Sequence, residues 1–182
     1  MNIANRLTVL RVVLIPIFLF TFWFPAFGAY GRYAAAAVFV LASFTDMLDG
    51  MLARRLNLIT NFGKFMDPLA DKLLVSAALV ALTEAGDVGP WFVIIIVSRE
   101  FVVTGVRLIA AERGVVIAAD KLAKLKTVAQ IITVVFFLVG PFKPGLPYEI
   151  AGYSLMIFTV VLSVASAYGY VSKNISIFKN EN

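Results

Sequence analysis

No cysteine and no histidine occurs among the 182 residues. The first absence excludes disulfides and thiolate metal sites. The second removes imidazole at once as nucleophile, as general base and as metal ligand. Charge is scarce as well: 15% of the residues are Asp, Glu, Lys or Arg, against about 25% in an ordinary soluble domain. Any catalysis must therefore use carboxylates, cations, hydroxyls or a bound metal. What is present instead is apolar, 61% of the chain, with a mean hydropathy of +0.92. Such a balance predicts a protein solvated by lipid rather than by water.

Six stretches approach the roughly 20 apolar residues that a membrane-spanning helix needs: about Leu7–Pro25, Tyr33–Arg54, Phe65–Thr83, Pro90–Glu112, Leu122–Val139 and Tyr148–Val171. Pro16 should kink the first, because it lacks a donor and crowds the preceding turn. Short turns rich in glycine and proline join the six, and no soluble linker interrupts them, so residues 1–182 are expected to form one domain. No small-residue cleavage site follows the first run, which does not read as a removable signal.

The net charge of +5 suits basic loops at a membrane surface better than a nucleic-acid-binding face. In the odd-numbered connections only Arg32 and Lys143 are basic. The even side holds Arg6, Arg54, Arg55, Lys64, Lys72, Arg113, Lys121, Lys124, Lys126, Lys173 and Lys179, with Arg11 nearby. The positive-inside bias then places both termini and the Arg54–Lys64 connection in the cytoplasm.

Topology does not account for Asp46, Asp49, Asp67, Asp71, Arg99, Glu100 and Arg107, which fall inside apolar segments. Each costs about 3 kcal/mol to place in a bilayer and is expected to face a bundle interior or a wet cavity. Structural ion pairing is the plainer reading, and a functional site the sharper one. Asp46 and Asp49 are three apart, Asp67 and Asp71 four apart, so each pair shares one helix face. The two helices are joined by residues 57–63 and bring both faces toward the cytoplasmic boundary. Four clustered carboxylates repel one another unless cations intervene. An oxygen-only donor set suits Mg²⁺, Mn²⁺ or Ca²⁺, and a pair of such ions clamping phosphate oxygens is its natural use. Gly50 and Gly63 leave room beside the carboxylates, Ala53 is small on the same side, and Arg54 can grip a phosphate with two donors. Pro68 is expected early in the third helix, where its missing donor does little harm.

The pattern Asp46-x2-Asp49-Gly50-x2-Ala53-Arg54-x8-Gly63-x3-Asp67-x3-Asp71 resembles, at all eight positions, the signature of the CDP-alcohol phosphotransferase family. That resemblance implies a six-helix membrane enzyme, a homodimer, which moves a phosphatidyl group from CDP-diacylglycerol to an alcohol and releases CMP. It implies further that Asp46, Asp49, Asp67 and Asp71 hold divalent metal, two Mg²⁺ or Mn²⁺ ions per site. Asp71 is also implied as the base that deprotonates the acceptor hydroxyl. Gly50, Ala53, Arg54 and Gly63 would line the cytidine diphosphate pocket.

The acceptor has to be read elsewhere. Arg99, Val103 and Arg107 lie on roughly one face of the fourth helix. Lys124, Lys126, Thr127 and Gln130 open the fifth, and these cations can form an anion pocket. Lys121, Lys124 and Lys126 are equally what topology and snorkelling demand. The opening MNIANRLTVLRVVLIPIF and the run SREFVVTGVRLIAAERGVVIAADKLAKLKTVAQ are similar to the bacterial phosphatidylglycerophosphate synthases within that family. This second resemblance implies sn-glycerol 3-phosphate as acceptor, a bacterial plasma membrane and a site facing the cytoplasm. It places Asn5, Thr8 and Arg11 near the substrates, the first two toward the CDP-lipid and Arg11 toward the acceptor phosphate. A cardiolipin synthase using CDP-diacylglycerol or a phosphatidylinositol phosphate synthase shares the motif. A cation transporter would instead spread its carboxylates along a path or show repeated halves, and neither feature is visible.

Overall fold

A computed structural model describes residues 3–56, 61–112, 121–140 and 145–174. The side chains of 3–7, 46–56 and 61–68, and of Pro25, Ala29, Asp71, Glu112, Lys121 and Lys173, lie outside that description. It contains six α-helices: α1 (Ile3–Trp23), α2 (Gly31–Leu56), α3 (Asn61–Glu84), α4 (Pro90–Glu112), α5 (Lys121–Leu138) and α6 (Leu146–Lys173). A 3-10 segment, Pro25–Tyr30, joins α1 to α2, and no strand occurs among the described residues.

The helix count agrees with hydropathy, but several boundaries do not. α1 starts four residues before Leu7, α2 continues to Leu56, and α3 starts at Asn61 rather than Phe65. Asn61, Phe62 and Gly63 are thus helical, not part of the connection, and Pro68 stands well inside α3 instead of near its start. Hydropathy marks where side chains become apolar, whereas a helix continues through polar residues as long as backbone bonding does. α1 also runs through Pro16 as a single helix.

The chain divides into two compact units, residues 1–88 with 134–145 and residues 89–133 with 146–182. In the first, α1 packs on both α2 and α3. Its buried residues are Thr8, Arg11, Leu14, Phe18 and Thr21, a single stripe at helical spacing. Phe18 is fully buried, with its ring 6.1 Å from Phe22 and 6.1 Å from Phe39 of α2. Gly31 opens α2 at a close approach, since a Cβ there would lie 2.8 Å from the Thr21 carbonyl oxygen. Two residues past the end of α3 stands Gly86, whose φ of +82° suits a residue without a Cβ. There the amides of Gly86 and Asp87 donate to the carbonyls of Thr83 and Leu82, closing the helix end in a Schellman motif. The turn presents Asp87 to Arg32, whose Nη2 lies 2.5 Å from its carboxylate. The α1–α2 connection and the turn after α3 therefore share one end of this unit.

In the second unit α4 packs on α6. α4 buries Val93, Ile96, Arg99, Val103, Val106 and Ala110, and α6 buries Met156, Thr159, Ser163, Ser166 and Tyr170. α5 buries Lys126, Ala129, Gln130 and Thr133 from the same unit. Thr133 and Thr159 share a hydrogen bond of 2.8 Å between their hydroxyls. The inward stripes of this unit thus carry much of its polarity.

The outward faces carry the opposite character. Leu10, Val13, Ile17 and Phe20 of α1, Phe101, Val102 and Leu108 of α4, Leu125, Val128 and Ile132 of α5, and Ile157, Phe158, Val161 and Val164 of α6 are all exposed. A water-soluble monomer rarely shows contiguous apolar faces of this kind. Among the described residues Leu146–Ser172 is long and apolar enough to cross a membrane, and Thr8–Trp23 and Gly31–Thr45 are shorter apolar helices.

Burial predicts unequal effects for two neighbours on α1. Phe18→Ala is expected to cost about 3 kcal/mol, the scale of a buried phenylalanine truncated without collapse of its site. Ile17→Ala, on the exposed face, is expected to cost under about 1 kcal/mol. Thermal unfolding midpoints of the purified protein in detergent check the difference.

Candidate functional site

The residues singled out by the sequence fall into two groups, one in each unit. In the first unit, α2 carries Asp46, Asp49, Gly50, Ala53 and Arg54, and α3 carries Gly63, Asp67 and Asp71. Their side chains lie outside the described residues, as does that of Asn5; their backbones are helical. Helical backbone at all of them keeps the three- and four-residue spacings meaningful, since each pair then shares a face. The inward stripe of α2 runs through Phe39, Ala42 and Thr45, and Asp49 is the next position by helical period. On α3 the stripe of Leu74 and Ala70 continues backward to Asp67, with Asp71 three residues before Leu74.

The donor set on these two helices is all carboxylate, which fits hard dications and no soft metal. Among the described residues no group of three or more acidic side chains is placed to hold a metal ion. α1 packs on both. It contributes Thr8 and Arg11, which are 1% and 0% exposed. A guanidinium buried to that degree in an apolar helix is tolerated only beside compensating polar or charged groups.

In the second unit the predicted cations divide by how they are engaged. Arg99 is buried and uses all three guanidinium nitrogens. Nε donates to the Ser163 carbonyl at 3.1 Å, Nη2 to the Ser166 hydroxyl at 2.7 Å and Nη1 to Glu100 at 3.0 Å. Lys126, also buried, pairs with the same Glu100 carboxylate oxygen. One acid thus bridges a cation on α4 and a cation on α5. Thr127 returns its hydroxyl to the Ala123 carbonyl at 3.1 Å, and Lys124 is exposed. Arg107 is exposed too. Its Nε donates to the Tyr170 hydroxyl at 3.2 Å, and its guanidinium carbon lies 5.4 Å from the centre of that ring.

Three of these contacts involve residues to which the sequence assigned no role: Ser163, Ser166 and Tyr170. All sit on α6, beyond the stretches whose motifs point to the family. A signal was nevertheless present. Thr159, Ser163, Ser166 and Tyr170 recur at helical spacing within a run that is otherwise almost wholly apolar, and such a polar stripe is what interhelical hydrogen bonding in lipid uses.

Comparison with known proteins agrees with the motif. The CDP-alcohol phosphatidyltransferase family model matches residues 1–165. The CDP-diacylglycerol–glycerol-3-phosphate 3-phosphatidyltransferase of Bacillus subtilis is 44% identical, with 100% of this chain and 99% of that protein covered. The protein of the same name from Escherichia coli is 37% identical over 94% of this chain and 93% of its own length. That from Rickettsia typhi is 36% identical over 93% and 94%. A match of this extent, together with the eight motif positions on α2 and α3, shows that the chain belongs to the CDP-alcohol phosphatidyltransferase family.

Proposed function

We propose that this chain transfers the phosphatidyl group of CDP-diacylglycerol to sn-glycerol 3-phosphate, giving phosphatidylglycerol phosphate and CMP. The observation that carries the reading is the likeness, along nearly the whole chain, to transferases named for that donor and acceptor. Residues 1–182 act as one catalytic domain in this reading, in keeping with the single family match over 1–165.

The chemistry follows from the donor set. Asp46, Asp49, Asp67 and Asp71 would hold two Mg²⁺ or Mn²⁺ ions against the diphosphate of the lipid nucleotide. Bound there, the metal would draw off negative charge from the diphosphate and from departing CMP. Asp71 takes the proton of the acceptor hydroxyl as its oxygen bonds to the phosphatidyl phosphorus. The phosphorus–oxygen bond to CMP then breaks, and CMP leaves with the electron pair. Gly50, Ala53, Arg54 and Gly63, with Asn5 and Thr8, bind the nucleotide end of the donor. Arg11, Arg99, Arg107, Lys124, Lys126 and Thr127 serve the acceptor phosphate. Within this set Arg107 and Lys124, which are exposed, make direct contact, whereas Arg99 and Lys126 are held by Glu100 and fix the local charge.

The protein resides, in the same proposal, as a six-span homodimer in a bacterial plasma membrane with both termini and the catalytic residues cytoplasmic. The apolar outward faces and the lysine and arginine distribution support this arrangement. So does the Arg32–Asp87 pair, which neutralises a cation in an odd-numbered connection.

Several outcomes are expected. With purified protein and CDP-diacylglycerol, CMP appears when glycerol 3-phosphate is added and not with serine, inositol phosphate or phosphatidylglycerol; turnover with another of these in its place overturns the acceptor. EDTA abolishes the reaction and Mg²⁺ or Mn²⁺ restores it; a rate indifferent to EDTA ends the metal reading. Asp71→Asn lowers kcat by about 100-fold or more, the scale of a lost general base, as followed by CMP release. Because the chain has no cysteine, single introduced thiols report topology directly. Ser172→Cys is expected to react with an impermeant maleimide only in inverted vesicles, and Glu84→Cys in intact cells.

A further inference from the structure

α4 and α6 lie in parallel register. Phe92 and Tyr153 meet with ring centres 6.4 Å apart, Arg99 reaches Ser163 and Ser166, and Arg107 reaches Tyr170. Partner numbers rise together along both helices, so each step along α4 finds its counterpart one step along α6. The two arginines of α4 are therefore served in order by one stripe of α6, yet they are served differently. Arg99 is enclosed, with no nitrogen left over. Arg107 is held on one edge only.

Tyr170 is built to do that holding. It is 5% exposed and packs with Val103 and Val106 of α4, Ala167 and Val171 closing around the same cluster. Its ring is thus fixed by apolar contacts before any ligand arrives. The ring backs the guanidinium of Arg107 and the hydroxyl accepts from Nε. Among the described residues Nη1 and Nη2 of Arg107 make no hydrogen bond, and the side chain is exposed. A guanidinium anchored through Nε and one face retains a pair of donors with the fork geometry that suits two phosphate oxygens. An unanchored arginine would lose about 2 kcal/mol of rotamer freedom on binding. One already ordered by its neighbour loses less, and affinity gains by the difference.

We infer that Tyr170 is a positioning residue for the acceptor: it orients Arg107 so that its terminal nitrogens receive the phosphate of glycerol 3-phosphate. This rests on the proposed acceptor role of Arg107. It predicts an effect on one substrate and not the other, which loss of general helix packing would not produce.

The test is a double-mutant cycle with Tyr170→Phe, Arg107→Ala and the pair, in detergent-purified protein whose unfolding midpoint is measured alongside. Tyr170→Phe keeps the ring and the packing and removes only the hydroxyl, so the protein is expected to fold. Arg107→Ala is expected to raise the half-saturating concentration of glycerol 3-phosphate about 10-fold or more, the value of a charged hydrogen bond. Tyr170→Phe should raise it about 3- to 10-fold, in line with one hydrogen bond. The half-saturating concentration of CDP-diacylglycerol should stay the same in both. In the double variant the tyrosine change should add almost nothing to the arginine change. If Arg107→Ala acts as stated but Tyr170→Phe has no effect, adds in full, or moves both substrates equally, the positioning role is overturned and the acceptor role of Arg107 stands. If Arg107→Ala leaves glycerol 3-phosphate dependence unchanged, the acceptor reading of Arg107 is overturned, and the role of Tyr170 with it.

Discussion

A polar group inside lipid must find its partner within the protein, and the second unit is arranged around that constraint. Arg99 is the clearest case. Its guanidinium ties α4 to two residues of α6, and through Glu100 to Lys126 of α5. Removing any one member would strand a charge in a medium that does not solvate it, a penalty larger than the net worth of the contact. Helices with equally apolar surfaces have no hydrophobic reason to prefer one another over lipid. Hydrogen bonds such as that of Thr133 with Thr159 supply that preference, and they fix register as well as proximity. Polarity inward and hydrocarbon outward is the reverse of a soluble bundle.

The same principle connects fold to chemistry. Eight of the side chains proposed for substrate or metal, four aspartates with Arg11, Arg54, Arg99 and Arg107, are carboxylates or arginines on largely apolar helices, where their presence is costly unless used. In the first unit α1 packs on the two helices that carry the aspartates and contributes a wholly buried arginine from its inward stripe. In the second, one acid, Glu100, balances both Arg99 and Lys126. A pocket for a dianion does not need every cation in contact with it.

Much of this was legible in the sequence, for reasons that differ from element to element. The aspartates stood out because spacing and medium agree: three- and four-residue gaps on helices, in a chain too apolar to tolerate idle carboxylates. Helix number followed from hydropathy, while helix ends did not. Asn5, Arg6 and Asn61 to Lys64 continue their helices beyond the apolar run, since backbone bonding does not stop where hydrocarbon does. Arg99 and Arg107 were found as a pair, but spacing on one helix could not tell that one is enclosed and the other exposed. That distinction is made by α6. Its serines and tyrosine are mild enough to pass as part of an apolar span, and only their partners give them meaning.

The ion pair between Arg32 and Asp87 has a consequence for assembly. Fifty-five residues separate the two, so a growing chain presents Arg32 long before its counter-charge exists. In the folded chain the guanidinium carbon of Arg32 also lies 5.7 Å from the centre of the Phe22 ring. Completion of α3 and its glycine-closed end delivers the acid to that guanidinium. The pair thereby ties the start of α2 to the turn that closes α3, so one contact fastens the free end of a three-helix unit that local bonding alone would leave open.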